Sequence, residues 1–188
     1  LITKLALCRM KFVAPNTLEN DNVLLRIMEP SDFDALYQVA KDPLIWEQHP
    51  NKDRWKEDVF RQFFESALAS KSAYLIYDKK NAACIGSTRY YGLDEVGRSI
   101  FVGFTFYARA YWGVGINPLV KEMMFDFAFN FVDSIFMHVG AENYRSQKAV
   151  ERLGALKVAE RMVSFVNEPE RKNFEYVLEK SSWLRAKR

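Results

Sequence analysis

The spacing of apolar residues along the chain switches between a period of two and a period near 3.6, and the switches mark out elements. After the polar loop NTLENDN, residues 23–29, VLLRIME, read as a strand. Pro30, Ser31 and Asp32 then open a helix, with Ser31 as the expected N-cap and Asp34 three residues on. Phe33, Leu36, Tyr37 and Ala40 fall on one helical face, and Asp42-Pro43 stops it. A loop over 43–52 precedes a second helix. Asp53 is its expected cap, and Trp55, Val59, Phe60, Phe63, Phe64 and Ala67 form its stripe.

Three strands follow, AYLIY, ACIGSTRYY and SIFVGFTFY, joined by turns short enough to force antiparallel pairing. A glycine-bearing loop, ARAYWGVGINP, leads into a helix with Leu119, Val120, Met123, Met124, Phe127, Ala128 and Phe131 at helical spacing. Residues 134–139 read as a strand and 143–153 as a helix, with Gly154 as its C′ glycine. Two closing strands, 156–166 and 173–179, flank a turn at Asn167-Glu168-Pro169-Glu170. The order β α α β β β α β α β β predicts one mixed α/β domain over residues 13–188. Residues 1–12 are set apart as an N-terminal extension outside the fold.

Composition narrows the function classes. Fifteen Phe, nine Tyr and four Trp in 188 residues supply a real core and exclude a disordered chain. Net charge is +3 with both signs dispersed, so no basic arm announces nucleic acid. Two cysteines and two histidines without ligand spacing argue against a metal centre or a disulfide framework. No stretch of 18 uncharged apolar residues occurs, so no membrane span is expected, and a reducing, cytoplasmic setting is the default.

The chemistry lies in the loop Trp112-Gly113-Val114-Gly115-Ile116-Asn117-Pro118. The first turn of a helix carries amides without internal partners and the positive end of the helix dipole. Glycines there let a phosphate approach the backbone. A Walker loop would need Lys-Ser/Thr where Ile116-Asn117 stands. A dinucleotide fingerprint would need glycine at Pro118 and a parallel βαβ unit, although Asp133 lies twenty residues beyond Gly113. A tight turn without a ligand is the plain alternative.

The second segment, Asn143-Tyr144-Arg145-Ser146 and then Arg152-Leu153-Gly154, follows the loop after one helix and one strand. Together the two segments resemble the signatures of the GNAT acetyltransferases, over roughly residues 18–180. The wording is most similar to the branch of ribosomal-protein N-acetyltransferases. The resemblance implies a splayed, mostly antiparallel sheet and direct transfer of an acetyl group from acetyl-CoA, with no metal. The implied acceptor is a primary amine, on a protein N-terminus or a small molecule. A non-catalytic acyl-CoA-binding or sensing module and an interaction domain remain as alternatives.

The implied coenzyme residues are Phe106, Tyr107, Trp112, Gly113, Val114, Gly115, Ile116, Asn117, Asn143 and Ser146. Ser146 is the candidate proton donor to the thiolate. Trp46, His49, Tyr90 and Tyr91 are candidates for the acceptor side. Glu142, His138, His49 or a water is the candidate base, and Arg145 and Lys148 are candidates for the 3′-phosphate. Two positions depart from the family pattern: Ala110 stands where it has Gln or Arg, with Arg109 one residue early, and Val150 stands where it often has a tyrosine acid. A monomer and a homodimer are both compatible with the sequence.

Overall fold

The computed structural model describes residues 11–165 and 168–187. Eight strands form one sheet: β1 (Thr17–Glu19), β2 (Val23–Ile27), β3 (Ala73–Asp78), β4 (Ala83–Asp94), β5 (Ser99–Tyr107), β6 (Ser134–Gly140), β7 (Leu156–Val163) and β8 (Arg171–Glu179). Their order is β1-β2-β3-β4-β5-β6-β8-β7. Every neighbouring pair is antiparallel except β5 with β6.

The helices are α1 (Phe33–Ala40), α2 (Glu57–Ser70), α3 (Ile116–Ala128), α4 (Tyr144–Arg152) and α5 (Lys180–Ala186). One core joins the sheet to Val120, Met124 and Phe125 of α3, Val150 of α4 and Trp183 of α5. On the other side, Leu36 and Ala40 of α1 pack with Phe60, Phe63 and Phe64 of α2, Trp46 and Phe106. Two helical layers thus sandwich the sheet, as burying both of its faces requires.

The predicted order of elements is observed, with the short β1 and the terminal α5 added. Helix starts differ from expectation. Pro30–Asp32 is a single 3-10 turn, closed by the Asp32 carboxylate accepting from Glu29 N at 2.7 Å, so Ser31 is not the cap. Helix α2 begins only at Glu57; Asp53 pairs with Lys56 at 2.9 Å, and Trp55 lies outside the stripe, 37% exposed. Sequence periodicity fixes a helix's buried face better than its first turn, because several polar residues compete for the cap. Phe12 packs edge-on against Tyr90, Phe127 and Phe131, so the packed domain includes residue 12. The extension up to residue 10, and Asn167 of the expected turn, lie outside the described residues.

The feature that makes a site is the parting of β5 and β6. They pair only at Ser99↔Ser134, Ile100↔Ile135 and Phe101↔Phe136. Between the pairings Arg89↔Gly103 and Ser87↔Phe106, β4 advances two residues and β5 three. The extra residue makes a bulge, and Phe104 within it takes φ +52°. A bulky side chain in the left-handed region is costly, and the bulge bends β5 away from β6. Beyond the bulge the two strands diverge as far as Tyr107 and Gly140.

Candidate active site

The diverging strands enclose a cavity of about 520 Å³. The glycine loop and the start of α3 close one side of it, and α4 flanks it with Asn143, Ser146 and Val150. The other end lies under the α1–α2 connection, with Trp46, His49 and Arg54, and under the segment that joins β7 to β8.

Gly113 and Gly115 take φ +74° and +86°, and a Cβ built on either meets no protein atom within 4 Å. These glycines are therefore demanded by backbone conformation, and the space beside them is open. Gly115 is the N-cap of α3 and supplies no capping side chain. The amides of Gly113, Val114 and Gly115 find no protein acceptor among the described residues. An open cradle of free amides at a helix N-terminus fits a diphosphate.

Twelve of the fourteen coenzyme and acceptor candidates line this one cavity: Phe106, Tyr107, Trp112, Gly113, Gly115, Ile116, Asn117, Asn143, Ser146, Trp46, His49 and Tyr91. Val114 does not; its side chain is 61% exposed, leaving only its backbone facing the loop. Tyr90 is a correction. Its ring is buried in the α3-side core, and its hydroxyl donates to Met124 O at 2.7 Å, because strand alternation sends it to the face opposite Tyr91.

Several of these side chains are tied into the protein. Asn143 Oδ1 caps α4 by accepting from Ser146 N at 3.1 Å. Tyr107 donates to Asn117 Oδ1 at 3.1 Å, and Trp112 Nε1 to Tyr107 O at 3.1 Å, which fixes the loop against β5. Arg109 pairs with Asp42. Arg145 lies 3.9 Å over the Trp112 ring and reaches Ile45 O at 3.3 Å, while Lys148 is exposed away from the cavity wall. Arg145 is thus held against the loop, whereas Lys148 is exposed on α4.

On the acceptor side, Trp46 is buried and donates to Ala40 O at 2.7 Å. His49 Nε2 lies 3.2 Å from Arg54 Nη1. Its Nδ1 accepts from Asn51 N at 2.9 Å and lies 3.2 Å from Asn51 O, so protein donors meet the ring at both nitrogens. Burial and then the Arg54 charge hold His49 well below its ordinary pKa. The lone pair of His49 is already in use. Arg54 itself is sandwiched by Trp46 and Phe63 and paired with Glu168.

His138 stands differently. Its Nε2 lies 3.1 Å from Glu175 Oε2, its Nδ1 3.5 Å from the Tyr91 hydroxyl, and its ring stacks 4.6 Å from Phe101. Burial lowers its pKa, with Glu175 pulling the other way. Burial raises the pKa of Tyr91, so its phenol keeps its proton. The carboxylate thus fixes the proton on Nε2 and leaves a lone pair on Nδ1 beside the cavity. The sequence placed this histidine in an apolar strand and gave no sign of Glu175, 37 residues away.

Sequence reasoning also missed Lys121. It lies in the stripe of α3, buried, with Nζ 2.7 Å from Thr105 Oγ1 and 3.1 Å from Thr88 Oγ1. The available signal was its spacing: four residues after Asn117, it shares that residue's helical face. Among the described residues no group of three or more His, Cys, Asp or Glu could hold a metal, and no helix is long and apolar enough to cross a membrane.

A sheet split by a bulge carries free helix-terminal amides, suited to an anion, at one end of the split and a histidine–carboxylate pair at the other. The model of the acetyltransferase (GNAT) domain matches residues 22–156, and the chain belongs to that family. Among solved structures it is similar to a GCN5-related N-acetyltransferase from Brucella melitensis, with 15% identity and a TM-score of 0.77 over 90% of this chain and 83% of that one. It is similar to Vibrio cholerae spermidine N-acetyltransferase in complex with CoA and spermine, with 16% identity and a TM-score of 0.67 over 88% and 99%. It is likewise similar to Mycobacterium smegmatis RimJ in complex with CoA-disulfide, with 16% identity and a TM-score of 0.67 over 89% and 88%. No curated protein sequence matches the chain significantly.

Proposed function

We propose that this chain is an acetyl-CoA-dependent N-acetyltransferase acting on a primary amine, a protein N-terminus or a small molecule. The observation that carries the reading is the single cavity joining the free amides before α3 to the His138–Glu175 pair. Complexes of CoA with the spermidine acetyltransferase and with RimJ support the choice of coenzyme.

Acetyl-CoA supplies the activated acyl group. The amides at residues 113–115 and the start of α3 hold its diphosphate, and Asn143 and Ser146 flank its arm. Between Phe104 and Tyr107 the amides of β5 that do not pair with β4 face the gap left by β6 and polarise the carbonyl. The acceptor amine must be neutral to attack; at pH 7 an α-amine is ~10% neutral and a lysine ~0.04%. His138 Nδ1 takes its proton, directly or through the Tyr91 hydroxyl, and Glu175 stabilises the imidazolium. A hydroxyl is a weak acid, so Ser146 serves by hydrogen bonding.

Calorimetry with acetyl-CoA, then thiol release with a panel of α-amines, polyamines and lysine peptides, tests the reading. Binding with amine-dependent release is expected. Binding without release by any amine would make the chain a coenzyme sensor, and no binding would remove the coenzyme reading altogether.

A further inference from the structure

Proton traffic at the acceptor end has an owner in the reading above; the departing sulfur has none. Val150 stands on α4, where the resemblance places a tyrosine acid, and the nearby cavity wall of Val139, Met137 and Ala149 is apolar. On this side of the cavity the other polar liners are Asn117, Asn143, Ser146, Arg145, Arg152 and the phenols Tyr107 and Tyr111, which already donate to Asn117 Oδ1 and Asp78 Oδ2. Amides and hydroxyls are too weakly acidic at neutral pH, and guanidinium holds its proton too tightly. Lys121 remains.

Lys121 lines the cavity from α3, only 4% exposed, and its amine hydrogen-bonds Thr105 of β5, itself a lining residue, at 2.7 Å and Thr88 of β4 at 3.1 Å. The two hydroxyls lie 2.8 Å apart, so the three groups close a triangle. Thr105 sits in the bulged turn of β5, next to Phe104, where the proposed thioester carbonyl is polarised. A buried ammonium ordinarily has a carboxylate partner; among the described residues Lys121 has none.

We propose that Lys121 is the catalytic acid that protonates the coenzyme thiolate as it leaves. The proposal rests on the acetyltransferase reading. The C–N bond to the acceptor forms from the amine lone pair, and the C–S bond breaks with its electron pair going to sulfur. Sulfur takes a proton from Lys121 Nζ, the acceptor nitrogen loses one to His138, and both side chains return to their starting states by exchange with water.

Burial alone pushes Lys121 down to about 7. A thiolate whose conjugate thiol has a pKa of about 8.5 takes a proton from such an ammonium downhill. The titratable groups that β4 and β5 send to α3 are Tyr90, on Met124 O, and Tyr107, on Asn117 Oδ1; burial raises both, so neither carries charge near neutrality. Of the other charged or titratable side chains around the cavity, Arg54, Arg145, Arg152, Arg171, Glu168, His49, His138, Tyr91 and Tyr111, none contributes to the shift of Lys121.

Lys121→Met separates this role from a structural one. Its acetyl-CoA affinity is expected to stay within about threefold of wild type while kcat falls about 100-fold or more and the basic limb of the kcat–pH profile disappears. A second readout needs no turnover and no variant. In protein carrying 13C at the lysine ε-carbon, one resonance is expected to titrate near neutrality. CoA should move its midpoint further than coenzyme lacking the thiol does. Unchanged kcat with the basic limb intact, or equal movement by the two ligands, overturns the proposal. Wild-type protein that fails to bind acetyl-CoA overturns instead the reading on which it rests.

Discussion

Lys121 and His138 hold their protons loosely for one reason, burial, and the structure gives them opposite neighbours. His138 faces Glu175, which partly restores its basicity; Lys121 faces only threonine hydroxyls. As a base, His138 must be neutral, so kcat should rise with pH through a value below the ordinary histidine range. As an acid, Lys121 must be charged, so kcat should fall above about 7. Glu175→Gln removes the charge that favours the imidazolium. It should cut kcat by about 100-fold and move the acid limb to lower pH; a kcat–pH profile with an unmoved limb would argue against His138 as the base. Stability reports on Lys121 independently. Its folded pKa lies below its unfolded value, so the unfolded chain binds the extra proton and wild-type stability should gain with rising pH. Relative to Lys121→Met, the gain should approach about 1.4 kcal/mol per pH unit between about pH 7 and 10, measured by urea unfolding.

At the scale of the element, two glycines do different work. Gly154 ends α4 at φ +88°, with Leu178 Cδ1 3.8 Å from a built Cβ, so alanine has space but not conformation. Gly154→Ala should cost about 1 kcal/mol and lower Tm by about 2–4 °C in calorimetric melting, with coenzyme affinity unchanged. Gly113 also has positive φ, but the open space beside it is the proposed diphosphate seat. Gly113→Asp places a carboxylate there. Acetyl-CoA affinity measured by calorimetry should fall about 100-fold or more, while the fold survives; undiminished affinity would refute the loop assignment. Both glycines were legible in the sequence because each follows or precedes a strongly periodic helix. The bulge was not. Nothing in SIFVGFTFY marks Phe104 as the residue with positive φ, since the cost is borne by its packing with Arg89, Phe63 and Phe165.

Across the whole molecule, one ion pair ties distant parts together. Arg54, in the α1–α2 connection, reaches Glu168 between β7 and β8, and Asn51 Nδ2 meets the same carboxylate at 3.1 Å. Arg54→Met leaves Glu168 without its cation in a largely buried place, and should cost about 3 kcal/mol in urea unfolding while loosening the acceptor end; an unchanged unfolding midpoint would deny the tie. The sequence by itself determined the order of elements, the buried faces of the helices and the glycine loop, because each is a local pattern of spacing and backbone preference. Only the tertiary structure decided that β5 parts from β6, that Tyr90 and Tyr91 serve opposite faces, and that His138 meets Glu175 and Lys121 meets Thr88 and Thr105. Those pairings join residues tens of positions apart, and a side chain's acidity follows from the water it loses and the charges it meets, neither of which is written in its neighbours along the chain.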